Sequence, residues 1–299
     1  MALPRWFPLA RNEARILLTS KGPWALAALL VLWAYRPSYI AWDGLGPDMT
    51  VGFVQTTATI VLPLGALLLS YRSIVGERRS GSLKFVLGLP LTRTDVLVGK
   101  VLGRSVGIAV PVTVSASALG LIGLVRFGLF SPLRFLAVLL ATHLYVLVLV
   151  SLATAVSAVT TSTVRATGVV FGVVFLVLTV FWKLIASRIY SAVSGQAANP
   201  YDAPADGLLF ALLRVSPDRS YRVLTNWILG VGNSGASYDA VITKLQTPTS
   251  ISVFVVEAAF ETTPVPFYLH EVTGFVVLVV WLVVPLGVAR YLFERGDLV

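Results

Sequence analysis

Residues Phe135–Val164 read FLAVLLATHLYVLVLVSLATAVSAVTTSTV, thirty positions without an Asp, Glu, Lys or Arg. About 20 apolar residues in a helix cross the roughly 30 Å hydrocarbon core of a bilayer, so this stretch marks a transmembrane helix. The rest of the chain has the same character. Of 299 residues, 57% are apolar and 12% charged, and the mean hydropathy is +0.85. The charged share is about half that of ordinary globular domains. Too little polar surface remains to cover a water-soluble body of this size. The composition excludes a soluble enzyme, a disordered chain and a free DNA-binding factor, and it points to an all-α polytopic membrane protein.

Five further segments reach spanning length. Ile16–Tyr35 does so if Lys21 snorkels, and Val51–Tyr71 is free of charge. Ser105–Val125 lies between Arg104 and Arg126, Ala166–Trp182 precedes Lys183, and the last run lies between Glu271 and Arg290. A long charged leader without a small-residue cleavage site argues against a removed signal peptide. Placing the N-terminus inside assigns 14 of the 23 basic residues and five of the 14 acidic ones to inner segments. The whole surplus of +9 then falls on one face. By the positive-inside rule both termini are expected in the cytoplasm, in a multi-pass protein of the cell membrane. The basic surplus therefore reads as topology, and no nucleic-acid partner is expected.

Pro4–Ser20 mixes Trp6, Phe7, Leu9, Ile16 and Leu17 with Arg11 and Arg15, a pattern that suits a helix lying in the inner interface. The chain is expected to divide into 1–183 (interfacial helix and five spans), 184–271 (an extracytoplasmic cap between spans five and six) and 272–299 (sixth span and tail). The cap contains amphipathic stretches at Gly207–Val215 and Tyr221–Leu229. Its apolar run Ile251–Phe260 is too short to span and suits a core element of the cap or a surface for an extracytoplasmic protein.

The inner loop is more informative. Ser73–Gly103 reads SIVGERRSGSLKFVLGLPLTRTDVLVGKVLG. Glu77, Arg78 and Arg79 form a charged knot after the second span, Gly81 permits a turn, and Ser82 can cap a short helix to Leu89 that Pro90 ends. Thr92, with Asp95 three residues on, has the form of a capping box opening the third span's helix. A short half-apolar helix strung between two spans can carry a partner's motion into them.

The runs Gly76-Glu77-Arg78-Arg79-Ser80-Gly81-Ser82-Leu83 and Leu89-Pro90-Leu91-Thr92-Arg93, with Gly99-Lys100, resemble the signature of type-2 ATP-binding-cassette (ABC-2) transporter permeases. Within that family the sequence resembles the branch of permeases similar to the one serving nitrous-oxide-reductase maturation, and archaeal relatives. The motif covers about a tenth of the chain. The resemblance implies six spans, a coupling helix after the second span, a second copy of the same chain, and two copies of a separate cytoplasmic ABC ATPase that holds ATP and Mg. No cofactor is implied in this chain. Glu77, Arg78, Ser80, Gly81 and Ser82 would lie at or beside the ATPase contact, with Leu83, Phe85, Val86 and Leu87 docked in its cleft. The implied function is a permease subunit, not itself an enzyme, for ATP-driven movement of a substrate, with export as the direction. Two alternatives stay open: mechanical transmission to an extracytoplasmic partner, and an ATP-independent channel or carrier. The outer loop is longer than that branch's, and the chain holds no Cys, two His and two Met, a poor ligand supply for copper.

Other candidates are weaker. Gly99, Gly103 and Gly107, and separately Gly168 and Gly172, have the small-residue spacing of close helix packing. Pro63, Pro111 and Pro285 can kink their spans. His143, Gln55 and Thr59 give a possible intramembrane polar site, with hydrogen bonding between helices as the plainer reading. His270, Glu271, Glu257 and Glu261 lack a metal-binding spacing, and no metal is expected. No Walker phosphate loop, His-Glu-x-x-His or Gly-x-Ser-x-Gly motif occurs.

Overall fold

The computed structural model describes residues 4–35, 45–82, 88, 90–246 and 251–295. The described residues form helices joined by turns and no strand. In order they are α1 (Phe7–Thr19), α2 (Lys21–Ala34), α3 (Met49–Thr57), α4 (Val61–Ser70), α5 (Val75–Ser80), α6 (Arg93–Phe127), α7 (Pro132–Val159) and α8 (Thr163–Thr167). A π-helix, Gly168–Val180, continues α8. Then come α9 (Trp182–Ser194), α10 (Gly207–Arg214), α11 (Pro217–Leu229), α12 (Tyr238–Gln246), α13 (Val256–Ala259) and α14 (Thr273–Arg295). Among the described residues five helical runs are long and apolar enough to cross a membrane, with Gly46–Ser80 counted as one run, and six if the bent pair α1–α2 also counts as one.

The first span is shorter than its apolar run. The chain bends by 62° at Ser20, which is extended, so Ile16–Ser20 belongs to the preceding helix and the apolar helix is Lys21–Ala34. Pro23 explains the break. A proline has no N–H to give the carbonyl four residues back, here Thr19, and its ring crowds that carbonyl. The same logic acts in the second span, where α3 and α4 are separated by turns at Ala58–Ile60, four residues before Pro63 and around it. Pro111 and Pro285 instead sit inside unbroken helices. The expected capping box is present: Thr92 Oγ1 accepts from Asp95 N at 3.0 Å, and Thr92 N donates to Asp95 Oδ2 at 3.0 Å.

Both described ends of the chain meet at one end of the bundle. There α1 packs along α6, and the tail of α14 places Phe293 and Ala289 beside Ile74, Leu97 and Ala158. We call this the basic end. The opposite end carries residues 182–246 and 251–269. Part of that segment has its own core, in which Tyr190 and Phe210 pack with Phe254 and Phe260 of the apolar run. The other part does not sit apart. Helix α11 packs against α7, α14 and α3. Its Tyr221 ring stacks on Tyr145 at 4.8 Å, and Ser220, Thr225 and Asn226 are fully buried.

Candidate functional site

The charged knot of the inner loop folds into the chain. In α5, Glu77 sits in the first turn, Arg78 and Arg79 in the last, and Gly81 ends the helix at φ 78°, a left-handed conformation that glycine adopts without strain. Two backbone N–H groups that open α5, Ile74 and Val75, both donate to Ser157 Oγ of α7 at 3.0 Å. A neighbouring helix thus supplies the N-terminal cap.

At the other end of α5 the direction of donation reverses. Arg78 donates to the carbonyls of Thr160 at 3.0 Å and Ala158 at 3.3 Å, closing the C-terminus of α7. Arg79 donates to Thr163 Oγ1 at the start of α8. Ser80 and Ser82 hydroxyls lie 2.9 Å apart, and Ser80 donates to the carbonyl of Glu77.

Glu77 turns inward to Lys100. The Lys100 ammonium is completely buried in α6 and lies 2.6 Å from Glu77 Oε1 and 2.6 Å from Glu13 Oε1 of α1. Glu13 Oε2 in turn lies 2.9 Å from Arg104 Nε, while Arg104 Nη1 donates to the carbonyl of Leu69. Two carboxylates and two cations therefore join α1, α4, α5 and α6. A charge removed from water at this depth needs such partners, because its desolvation exceeds what one imperfect contact returns. Glu77 Oε2 is buried without a hydrogen-bond partner.

The glycines make the approach of α1 possible. A Cβ on Gly103 would run into the backbone of Ala10, and one on Gly107 would lie 2.7 Å from Leu17 Cβ. Gly99 faces Leu9 and the carbonyl of Trp6, both at 3.0–3.1 Å from such a Cβ. These three glycines thus receive α1 and bring Glu13 down onto Lys100. Gly168 and Gly172 do not share this arrangement: nothing in the described chain lies within 4 Å of a Cβ at either.

Over residues 7–298 the sequence matches the model of the "ABC-2 family transporter protein" family. The chain belongs to the ABC-2 transporter family. It is similar to the probable ABC transporter permease protein NosY of Stutzerimonas stutzeri, at 29% identity over 241 residues, covering 76% of this chain and 84% of that one. It is also similar to the probable ABC transporter permease protein NosY of Pseudomonas aeruginosa, at 35% identity over 134 residues. That second match covers 41% of this chain and about half, 48%, of its relative. ABC-2 membership makes this a multi-pass membrane subunit of an ABC transporter, distinct from the ATPase, with an ABC ATPase as the general kind of partner.

Within this ABC-2 chain the motif residues divide by exposure. Glu77 and Arg78 hold the loop to the bundle, while Arg79 and Ser80 face outward. Leu83, Phe85, Val86 and Leu87 lie outside the described residues. Glu13, Lys100 and Arg104 were not among the residues expected at the site. Their signal was faint but present: Glu13 is the one acid in a basic leader, and Lys100 stands among the packing glycines.

The intramembrane polar candidates are not brought to one place; each has its own partners. His143 Nε2 is 2.9 Å from Thr113 Oγ1, a bond between α7 and α6. Gln55 is fully used by the cap-end segment: its Nε2 donates to Thr225 Oγ1 at 2.8 Å and Asn226 Oδ1 at 2.7 Å, and its Oε1 accepts from Tyr238 N at 2.9 Å. Thr59 accepts from Trp33 Nε1 and donates to the carbonyl of Thr56. Of the acids near His270, Glu257 gives both oxygens to the Asn233 N–H at 2.8 and 3.0 Å, and Glu271 lies 3.6 Å from His270. Among the described residues no three His, Cys, Asp or Glu side chains gather as metal ligands.

Proposed function

We propose that this chain couples ATP hydrolysis by a separate ABC ATPase to movement of a substrate out of the cell, as one of two identical membrane subunits paired with two ATPase subunits. The observation that carries the reading is the buried bridge from Glu77 through Lys100 to Glu13. A partner pressing on the segment that follows α5 would move α5, and the ion pairs would pass that displacement to α1 and α6 together. A loosely tethered loop would absorb the same push. The termini and the motif loop would then face the cytoplasm of the cell membrane, where the ATPase resides, and Gly168 and Gly172 would be free to meet the second copy.

The test is purification of the tagged chain from its own host in mild detergent, with mass spectrometry of what is retained. A Walker-containing ATPase should accompany the native chain and be lost with Val86→Asp, while gel filtration shows the variant still folded. If no ATPase is retained under gentle conditions, the reading fails and an ATP-independent channel or carrier takes its place.

One observation favours a second reading, in which motion passes to an outer protein and nothing crosses. Helix α11 is buried among α3, α7 and α14, and Gln55 fastens it and α12 to the second span. A cap joined this firmly would follow the bundle. An outer protein retained on residues 184–271, with no substrate flux in vesicles, would support this second reading over transport.

A further inference from the structure

At the cap end four cations converge on one cavity. Its volume is about 270 Å³, and Lys183, Arg214, Arg219 and Arg222 line it together with the aromatic walls of Phe210 and Phe254. No carboxylate lines it among the described residues. Asp218, wholly buried, pairs with Arg222 at 3.1 Å and stands 3.9 Å from Arg219 Nε. Glu257 and Glu271 bear on Arg214 and are not part of the lining. The remaining partners are uncharged. Lys183 donates to the carbonyl of Ser252 at 2.6 Å, Arg219 to that of Gly235 at 2.9 Å, and Arg214 to that of Leu269 at 2.7 Å. A carbonyl satisfies a donor's geometry and leaves its charge standing. Arg219 Nε is buried with no hydrogen-bond partner.

Like charges drawn together out of water repel one another, so such a cluster is held at a cost unless an anion enters it. Guanidinium groups offer paired donors that match the oxygens of a carboxylate or phosphate. The aromatic walls suit an apolar body behind that head.

We propose that this cavity binds a small organic oxyanion, a phosphate or carboxylate head on an apolar body, at the cap end of the protein. Lys183 and Arg219 would contact the head, and Phe210 and Phe254 the body. The site is separate from the ATPase coupling proposed above and can be measured on the purified chain without any partner.

Isothermal titration of the full chain in a neutral detergent tests it, with inorganic phosphate and phenyl phosphate as probes. Saturable binding is expected for both, tighter for phenyl phosphate. Lys183→Gln and Arg219→Gln should each weaken it roughly 10- to 100-fold, the range of one charge-assisted hydrogen bond. Arg188→Gln, an exposed charge outside the cavity, should leave it unchanged. Because Arg219 is buried its variant can fail to fold, and the half-buried Lys183 then decides. Absence of saturable binding, binding unaffected by the Lys183 change, or equal weakening by the Arg188 control would each overturn the proposal. Phosphate binding with no gain from the phenyl group would overturn the apolar part.

Discussion

Substituting Lys100→Met tests the buried bridge directly. The side chain loses its charge and one terminal atom while staying unbranched and flexible, so packing in α6 changes little. What remains is a nearly buried Glu13 that still has Arg104 at 2.9 Å, and a Glu77 carboxylate with 27% of its side chain exposed and its nearest cation gone. Removing one partner from a buried pair costs about 3–5 kcal/mol. The lower figure applies, because Arg104 continues to compensate Glu13 and water reaches part of Glu77. At about 2 °C per kcal/mol for a chain of this length, the melting temperature should fall by about 6 °C.

Thermal unfolding in detergent, followed by tryptophan fluorescence, reads this shift. Glu77→Gln removes one partner at the exposed edge and should cost about 1 kcal/mol. The two changes share a partner, so their double variant should be less damaged than their sum, with a coupling of about 1–2 kcal/mol. A Lys100→Met protein that melts with the parent would refute the argument. So would strict additivity, because the bridge would then not act as a unit.

Other outcomes follow from the same geometry. Gly103→Ala should push α1 off α6, costing about 1–3 kcal/mol as overpacking does, and limited proteolysis should cut the α1–α2 joint faster. Gln55→Leu leaves Thr225, Asn226 and the Tyr238 N–H without their partner, at about 1–3 kcal/mol for each group left unsatisfied; hydrogen exchange at α11 and α12 should rise while α5 is unaffected. Burial and the neighbouring Arg219 hold the Lys183 ammonium below its ordinary value of 10.5. A base whose folded value is lowered loses its charge early as pH rises, so phenyl phosphate affinity should begin to fall below pH 10.5, and the Lys183→Gln protein should lack that step. Thr92→Ala removes one arm of the capping box and should lower stability by about 1 kcal/mol, read as a small drop in melting temperature.

The spans were legible because lipid leaves the chain little choice. A segment that must satisfy every backbone group internally and bury apolar side chains in hydrocarbon announces itself by length and lack of charge. The bend at Ser20 was legible in principle from Pro23, yet the apolar run continues across it, and composition alone joins what backbone sterics separate. The motif residues were found by pattern, but pattern gave no direction: Glu77 reads equally well as a contact for a partner and as a contact for Lys100. The latter lies 23 residues away in sequence, and Glu13 is 87 residues from Lys100. Nothing local links them. Helix α11 shows a different limit of pattern. Its Asp218, Arg222 and Asn226 resemble the wet face of a surface helix, and an amphipathic pattern cannot tell water from a buried polar partner. Gln55, 171 residues from Asn226, is that partner.

The second span carries a residue of each polar joint. Gln55 in α3 holds the cap-end helices, and Glu77, at the far end of the same run, holds α1 and α6 through Lys100. Between them the helix is interrupted at Ala58–Ile60, where Thr56 and Thr59 hydroxyls bond to backbone carbonyls one turn back. Polar side chains here act as fasteners between elements, since apolar contact inside lipid fixes depth and rotation only weakly. The arrangement ties the two joints to segments on either side of the interruption. A rigid rod from Gln55 to Glu77 would force both ends to move as one. A broken one lets the basic end shift by a small angle while the α11 joint keeps its register, a property that suits the proposed transport, whereas transmission to an outer protein needs the α11 joint to move with the basic end.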